Sequence, residues 1–189
     1  MEKSKFGFKY WTNVVAIVLG IISFFMLFLP SMRTEITATG QEVGVYNGFQ
    51  TMFGYTEKGT QIMGFSFINF LGSLFIVLGV IVSAVNFLLP NLFKDKKVVV
   101  NVVAIALFVV GGIITFGTLT GVVLLGNKWA LFTNTIGEGP IIEGILALLS
   151  AASLGVSIYA WNTPEEMNKK IEEAIMEKIA KDAEESNAE

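Results

Sequence analysis

Four apolar stretches, Trp11–Met32, Phe65–Leu89, Val98–Leu125 and Ile141–Trp161, make up most of the chain, and none carries Asp, Glu, Lys or Arg in its central part. A helix that crosses a hydrocarbon layer about 30 Å thick needs about 20 mostly apolar residues. Each stretch meets that length. A core helix of a water-soluble protein would keep a polar stripe on its outward side, whereas these segments are apolar all round. Lipid offers the backbone no hydrogen-bond partner, so a spanning segment is either a helix or a strand of a closed barrel. Barrel strands are shorter and alternate with period two. The expected fold is therefore an all-α integral membrane protein, an up-down bundle of four transmembrane helices. Charged residues make up 15% of the chain, against roughly 25% in soluble domains, which agrees.

Orientation follows from Lys and Arg near the helix ends. Lys3, Lys5 and Lys9 precede the first stretch, Lys94, Lys96 and Lys97 lie between the second and third, and Lys169, Lys170, Lys178 and Lys181 follow the fourth. The other two connections hold only Arg33, Lys58 and Lys128. This bias places both termini in the cytoplasm of a multi-pass protein of the cell membrane. Trp11, Trp129 and Trp161 fall near the expected interfaces. The first apolar run is longer than the 7–15 residues of a signal peptide's core and no A-x-A site follows, so it is read as a retained helix. The chain divides into a transmembrane domain, 1–161, and an acidic cytoplasmic tail, 162–189. The tight connection at 90–97 makes the second and third helices antiparallel neighbours.

The first outer loop, 33–64, is the longer of the two. Arg33–Tyr46 is rich in Thr, Val and Ile, with Gly40 interrupting it, and suits a β-hairpin turning near Thr39–Gln41. Asn47-Gly48 is a second turn signal. Phe49, Met52, Phe53 and Tyr55 then crowd together. They either cap the end of the bundle or form an exposed patch for a partner. In the second outer loop, 126–140, Trp129 and Phe132 can join the same surface or serve as ordinary interfacial aromatics. Four helices, both ends inside and a β-like first outer loop together resemble the claudin-type membrane proteins in topology. That family's tryptophan and paired-cysteine signature is missing, because the chain has no Cys. The resemblance therefore implies a plan of the fold and carries over no residue.

Spanning helices associate through small residues and side-chain hydrogen bonds. Small-xxx-small spacing recurs at Ala16/Gly20, Gly79/Ser83 and Ala147/Ala151/Gly155, and Gly117-Thr-Leu-Thr-Gly121 is a literal GxxxG. Gly117 and Gly121 are thus candidates for packing within the bundle or for a seam between copies. Asn13, Asn86 and Asn101 lie within about one turn of cytoplasmic helix ends. They either bond to one another and lock that end or meet water and headgroups. Asn69, near the outer end of the second helix, has no obvious partner. Glu143 is the one ionisable group inside a stretch. It suits a helix start, where the dipole favours a carboxylate. Its alternative is a cation or substrate site at the outer mouth, with Arg33, Lys128 or Glu138.

In the tail, Thr163-Pro164-Glu165-Glu166 reads as a capping box with proline in the first turn. Met167, Ile171, Ala174, Ile175 and Ile179 then form an apolar stripe. From Pro164 onward there are four Lys against nine Asp or Glu. Anionic lipid would repel such a helix, so Ile171, Ile175 and Ile179 point to a protein surface, that of the bundle or of a partner, or to a solvated helix.

Cys and His are both absent, which removes disulfides, thiolate catalysis and Cys- or His-based metal sites. No catalytic residue, cofactor or metal site is expected, and no basic patch suggests nucleic acid. The expected function is a non-enzymatic integral membrane scaffold or accessory subunit, which contacts other proteins through its first outer loop and C-terminal helix. The alternative is a small oligomeric channel or transporter component using Glu143 and the intramembrane Asn residues. The expected partners are membrane lipid and a protein, either another chain or a second copy.

Overall fold

Proline ends the first apolar stretch as a helix earlier than its hydropathy suggests. In the computed structural model, which describes residues 8–89, 91–93, 96–125, 131–162, 170 and 173–178 (backbone alone for 8–10 and 160–162), helix α1 (Phe8–Phe25) passes into one 3-10 turn at Met26–Phe28. Leu29 is already extended. Pro30 lacks an N–H and disfavours helix at the residue before it, and strand β1 (Pro30–Ile36) follows at once. The third stretch is likewise shorter as a helix. Helix α4 (Lys97–Phe116) stops at Gly117, whose N–H bonds back to the carbonyl of Ile114. The chain then forms the short α5 (Thr118–Gly121) and strand β5 (Val123–Leu124). The remaining stretches are α3 (Phe67–Leu88) and α6 (Glu138–Asn162).

Helices α1, α3, α4 and α6 are long and apolar enough to cross a membrane. They close a ring in which α3 packs on α1 and α4, and α6 packs on the same two. Phe108 fills the centre, with Gly20 and Gly79 against its ring. Around it the core is small: Ala16, Ala104, Ala147 and Ala151, with Ile76 and Leu154. Only 33–39% of each spanning window is buried, and Val18, Ile81, Val102, Ile113 and Leu149 face outward. An apolar girdle of that extent is foreign to water-soluble monomers. The interior, by contrast, holds Asn13, Ser23, Asn69, Ser73, Asn101 and Glu143.

Polypeptide outside the spanning helices is not all loop, and here an all-α description needs correcting. Strand β2 (Glu42–Asn47) pairs with β1, and β1 also pairs with β6 (Phe132–Ile136), giving an antiparallel sheet of order β2-β1-β6. The hairpin turn lies where the Thr39–Gly40 signal places it, with Gly40 at φ 67° and the Ile36 N–H donating to the Gln41 carbonyl. Asn47-Gly48, however, is a helix start. The Asn47 side chain accepts from the Gln50 N–H at 3.0 Å, and Gln50 Oε1 accepts from the Asn47 N–H at 2.9 Å. This capping box begins α2 (Gly48–Phe53). A second hairpin, β3 (Tyr55–Glu57) and β4 (Thr60–Gly64), turns at Lys58-Gly59, both at positive φ, and β4 takes β5 as its other neighbour.

Because β1 pairs with β6 and β4 with β5, the two connecting segments meet at one end of the bundle, hereafter the capped end. The Asn86–Asn101 and Asn13–Ser157 contacts lie at the opposite end. Successive spanning helices therefore alternate in direction.

Candidate functional site

Beneath the cap, the polar residues of α3, α4 and α6 converge. Ser66 caps α3, accepting from the Asn69 N–H at 3.2 Å, and the helical spacing from Ser66 to Asn69 to Ser73 puts all three on one face. Ser73 Oγ donates to Glu143 Oε1 at 3.1 Å, and Ser23 Oγ donates to the Glu143 carbonyl at 2.9 Å. Glu143 thus ties α6 to α3 through its side chain and to α1 through its backbone. It is 3% exposed. It lies more than a turn past Glu138, where α6 begins, so its carboxylate is not spent on the helix start.

Glu143 borders a small cavity with Asn69, Ser73, Thr115 and Thr118, roofed by Ser31 and by Thr51 and Met52 of α2. Space for the centre of a water molecule amounts to about 10 Å³, enough for one such occupant. Asn69 donates through Nδ2 to the Thr51 carbonyl at 3.4 Å, and its Oδ1, buried, accepts no hydrogen bond. Turning the amide over would set oxygen against that carbonyl. Gly121 is pressed against Asn69 Oδ1, leaving no room for a Cβ.

Beside this cavity, and sharing Leu27, Met52 and Ser73 with it, lies an apolar groove of about 200 Å³ between α1 and α3. Phe24, Phe49, Phe53 and Phe70 line it. Their rings interlock: Phe49 meets Phe28 edge-on at 5.0 Å and stacks on Phe53 at 6.5 Å, and Phe53 contacts Phe65 and Phe70. Of the crowded residues expected here, Met52 is buried under the cap, Phe49 is half-buried, and Phe53 is 54% exposed. Tyr55 leaves this group and pairs edge-on with Tyr46 at 5.6 Å. Partial burial first, then the nearby Glu57 and Tyr55, push the Tyr46 phenol up. Phe132 sits in β6 opposite Ile36.

Arg33 does not reach Glu143. Its guanidinium donates to Glu42 at 3.0 Å and to Glu138, and these bonds hold it above its usual range. The arrangement clamps β2, β1 and the first turn of α6 together. At the opposite end, Asn86 Nδ2 donates to Asn101 Oδ1 at 2.7 Å and to the Lys97 carbonyl, while Asn13 Nδ2 donates to Ser157 at 2.6 Å. A layer of three mutually bonded carboxamides is thus replaced by one Asn pair and one Asn–Ser pair, because Asn13 on α1 faces α6. Gly117 and Gly121 lie beyond the end of α4, so the GxxxG is not part of a spanning helix. Gly121 still packs within the bundle, from α5 against Asn69 of α3, while the close approaches between spanning helices use other glycines: Gly72 with Gly111, and Gly112 with Gly144. Ile175 is in a helical stretch, 173–178, whose side chains are exposed. Trp129, Lys128, Ile171, Ile179 and the Thr163–Glu166 capping box lie outside the described residues.

Asn69 and Ser73 carry the site as much as Glu143 does. The regular spacing of polar residues in α3, from Ser66 to Ser73, is the sequence signal that marks them. No protein-family model matches the chain, and no curated protein matches its sequence.

Proposed function

We propose that this protein is a non-enzymatic membrane scaffold or accessory subunit of the cell membrane, which offers its cap and its C-terminal helix to other proteins. The cap is assigned to the outside by the Lys and Arg bias toward the opposite end and the termini. The observation that carries the reading is the β2 edge. β2 has β1 on one side and, among the described residues, no strand on the other. Val43 and Val45 on it are 49% and 43% exposed. Charged Glu42, Glu35 and Arg33 surround them in the register, which sets this strip apart from the lipid-facing girdle. An exposed apolar edge on a pinned strand invites pairing with another chain. In the tail, Ile175 and Met176 are exposed on helix, consistent with a surface that the bundle does not cover.

A channel or transporter component is the second reading, and buried Glu143 favours it. Against it, Phe108 and the alanine layer fill the bundle centre below the cavity, so a pathway would have to form between copies.

Native mass measurement of the complex, gently solubilised from its own membrane, tests the proposal. It should reveal a stoichiometric companion that Val43→Lys/Val45→Lys removes without lowering the melting temperature, and that deletion of Pro164–Glu189 weakens. A wild-type chain without a companion would overturn the scaffold reading. A companion retained by the double variant would overturn the role of the edge.

A further inference from the structure

The cavity beneath α2 is one-sided in its chemistry. Four of its five hydroxyls have a protein acceptor: Ser73 in Glu143 at 3.1 Å, Thr115 in the Gly112 carbonyl at 2.8 Å, Thr118 in the Thr115 carbonyl at 2.6 Å, and Thr51 in the Gly48 carbonyl at 3.0 Å or Ser31 Oγ at 3.2 Å, while Ser31 accepts from Thr51. Each such hydroxyl keeps its lone pairs for another donor. Asn69, a lining residue only 8% exposed, holds a carboxamide oxygen that lies beside Gly121 and accepts no hydrogen bond among the described residues, and Glu143 adds a carboxyl group. Among the described residues no Lys or Arg lines the cavity, and Arg33 is turned away to Glu42 and Glu138. The result is a buried group of oxygen atoms around one carboxyl, which carries a single negative charge when ionised. An isolated charge in such surroundings is costly unless something compensates it.

From the oxygen ligands, the single carboxylate and the one-water volume we infer that this cavity binds a dehydrated monovalent alkali cation between Glu143 and Asn69, with α2 as its lid. The ligand set decides the class. Apart from the Met52 thioether in the roof, the side-chain ligand atoms are hard oxygens, which suits alkali and alkaline-earth ions over transition metals. Calcium takes 6–8 oxygens, commonly including several carboxylates, and magnesium holds its water shell. One carboxylate balances one positive charge, and the space admits one atom of about water's size. Binding would fasten α2 to α3 and α6 and so stiffen the cap. It does not depend on the scaffold reading, since partner capture and cation dependence are measured separately.

Thermal unfolding of the full chain in detergent at pH 8, at constant ionic strength, tests this with NaCl, KCl and choline chloride. A tenfold excess over the dissociation constant should raise Tm by roughly 3–6 °C in NaCl or KCl relative to choline. The rise should saturate, and the ion giving the larger rise is the preferred occupant. Glu143→Gln should abolish the difference. Should that variant fail to fold, Ser73→Ala, which leaves the carboxylate in place, should reduce it, and equilibrium dialysis of the wild type with radioactive sodium or rubidium should give one site per chain. Equal Tm in all three salts with no ion retained on dialysis would overturn the proposal. So would an unchanged salt response in Glu143→Gln.

Discussion

At the scale of single residues, the hydrogen-bond partner, and not burial, separates polar groups that look alike in the sequence. Asn86 donates to Asn101 across α3 and α4, whereas Asn69 donates only to a backbone carbonyl; each of the two donors keeps a buried oxygen that accepts no hydrogen bond among the described residues. Position along the chain shows that each lies near a helix end; it cannot show which face each presents, and so the three-Asn layer was only partly legible. Glu143 stood out because a charge inside an apolar run is rare, but its partner Ser73 is a common residue with no signal of its own. The Asn86–Asn101 bond has a definite expected size. A double-mutant cycle with Asn86→Ala and Asn101→Ala, read by reversible unfolding in detergent or bicelles, should give a coupling of about 0.6 kcal/mol. A coupling of zero would mean that the two amides do not bond to each other.

At the scale of elements, the spanning helices were legible from hydropathy, and their ends were not. Pro30 ends the helical run of α1 where the flanking residues are still apolar, because backbone geometry outranks hydropathy there, and α4 ends at Gly117 among residues that are apolar too. Strand β6 was invisible to local reading for a different reason. Its partner β1 lies about a hundred residues earlier, and turn signals report only neighbours in sequence. The glycines divide in the same way. Gly111 abuts the Gly72 carbonyl and Ile76, so a Cβ there would sit 2.8 Å from both, whereas Gly155 has nothing within 4 Å. Gly111→Ala should therefore destabilise the bundle by about 1–3 kcal/mol through overpacking. Gly155→Ala should be neutral or stabilising by up to about 1 kcal/mol through helix propensity. Melting temperatures of the two variants would check the pair, and a Gly111→Ala protein as stable as wild type would refute the close α3–α4 approach.

At the scale of the whole molecule, the two segments at the capped end form one structure rather than two loops. Arg33 joins three elements there, and β1 is the central strand that both segments share. This unity is what makes the cap a platform able to hold β2 steady for a partner, and it roofs the Glu143 cavity. Composition and charge bias pointed to a membrane protein with a small β-like outer loop, but the joining of the second segment to the first emerges only from tertiary pairing. The most direct measurement of this claim introduces the only two cysteines of the chain, Glu35→Cys and Thr133→Cys, at positions that face each other across β1 and β6. Opposed antiparallel residues have the Cα separation that a disulfide needs. Mild oxidation of sealed cells should give an intramolecular disulfide in nearly every chain, and a membrane-impermeant reductant added outside should open it. Chains that remain reduced, or that cross-link only to other copies, would contradict a single cap, and a disulfide that the external reductant cannot reach would contradict its placement outside.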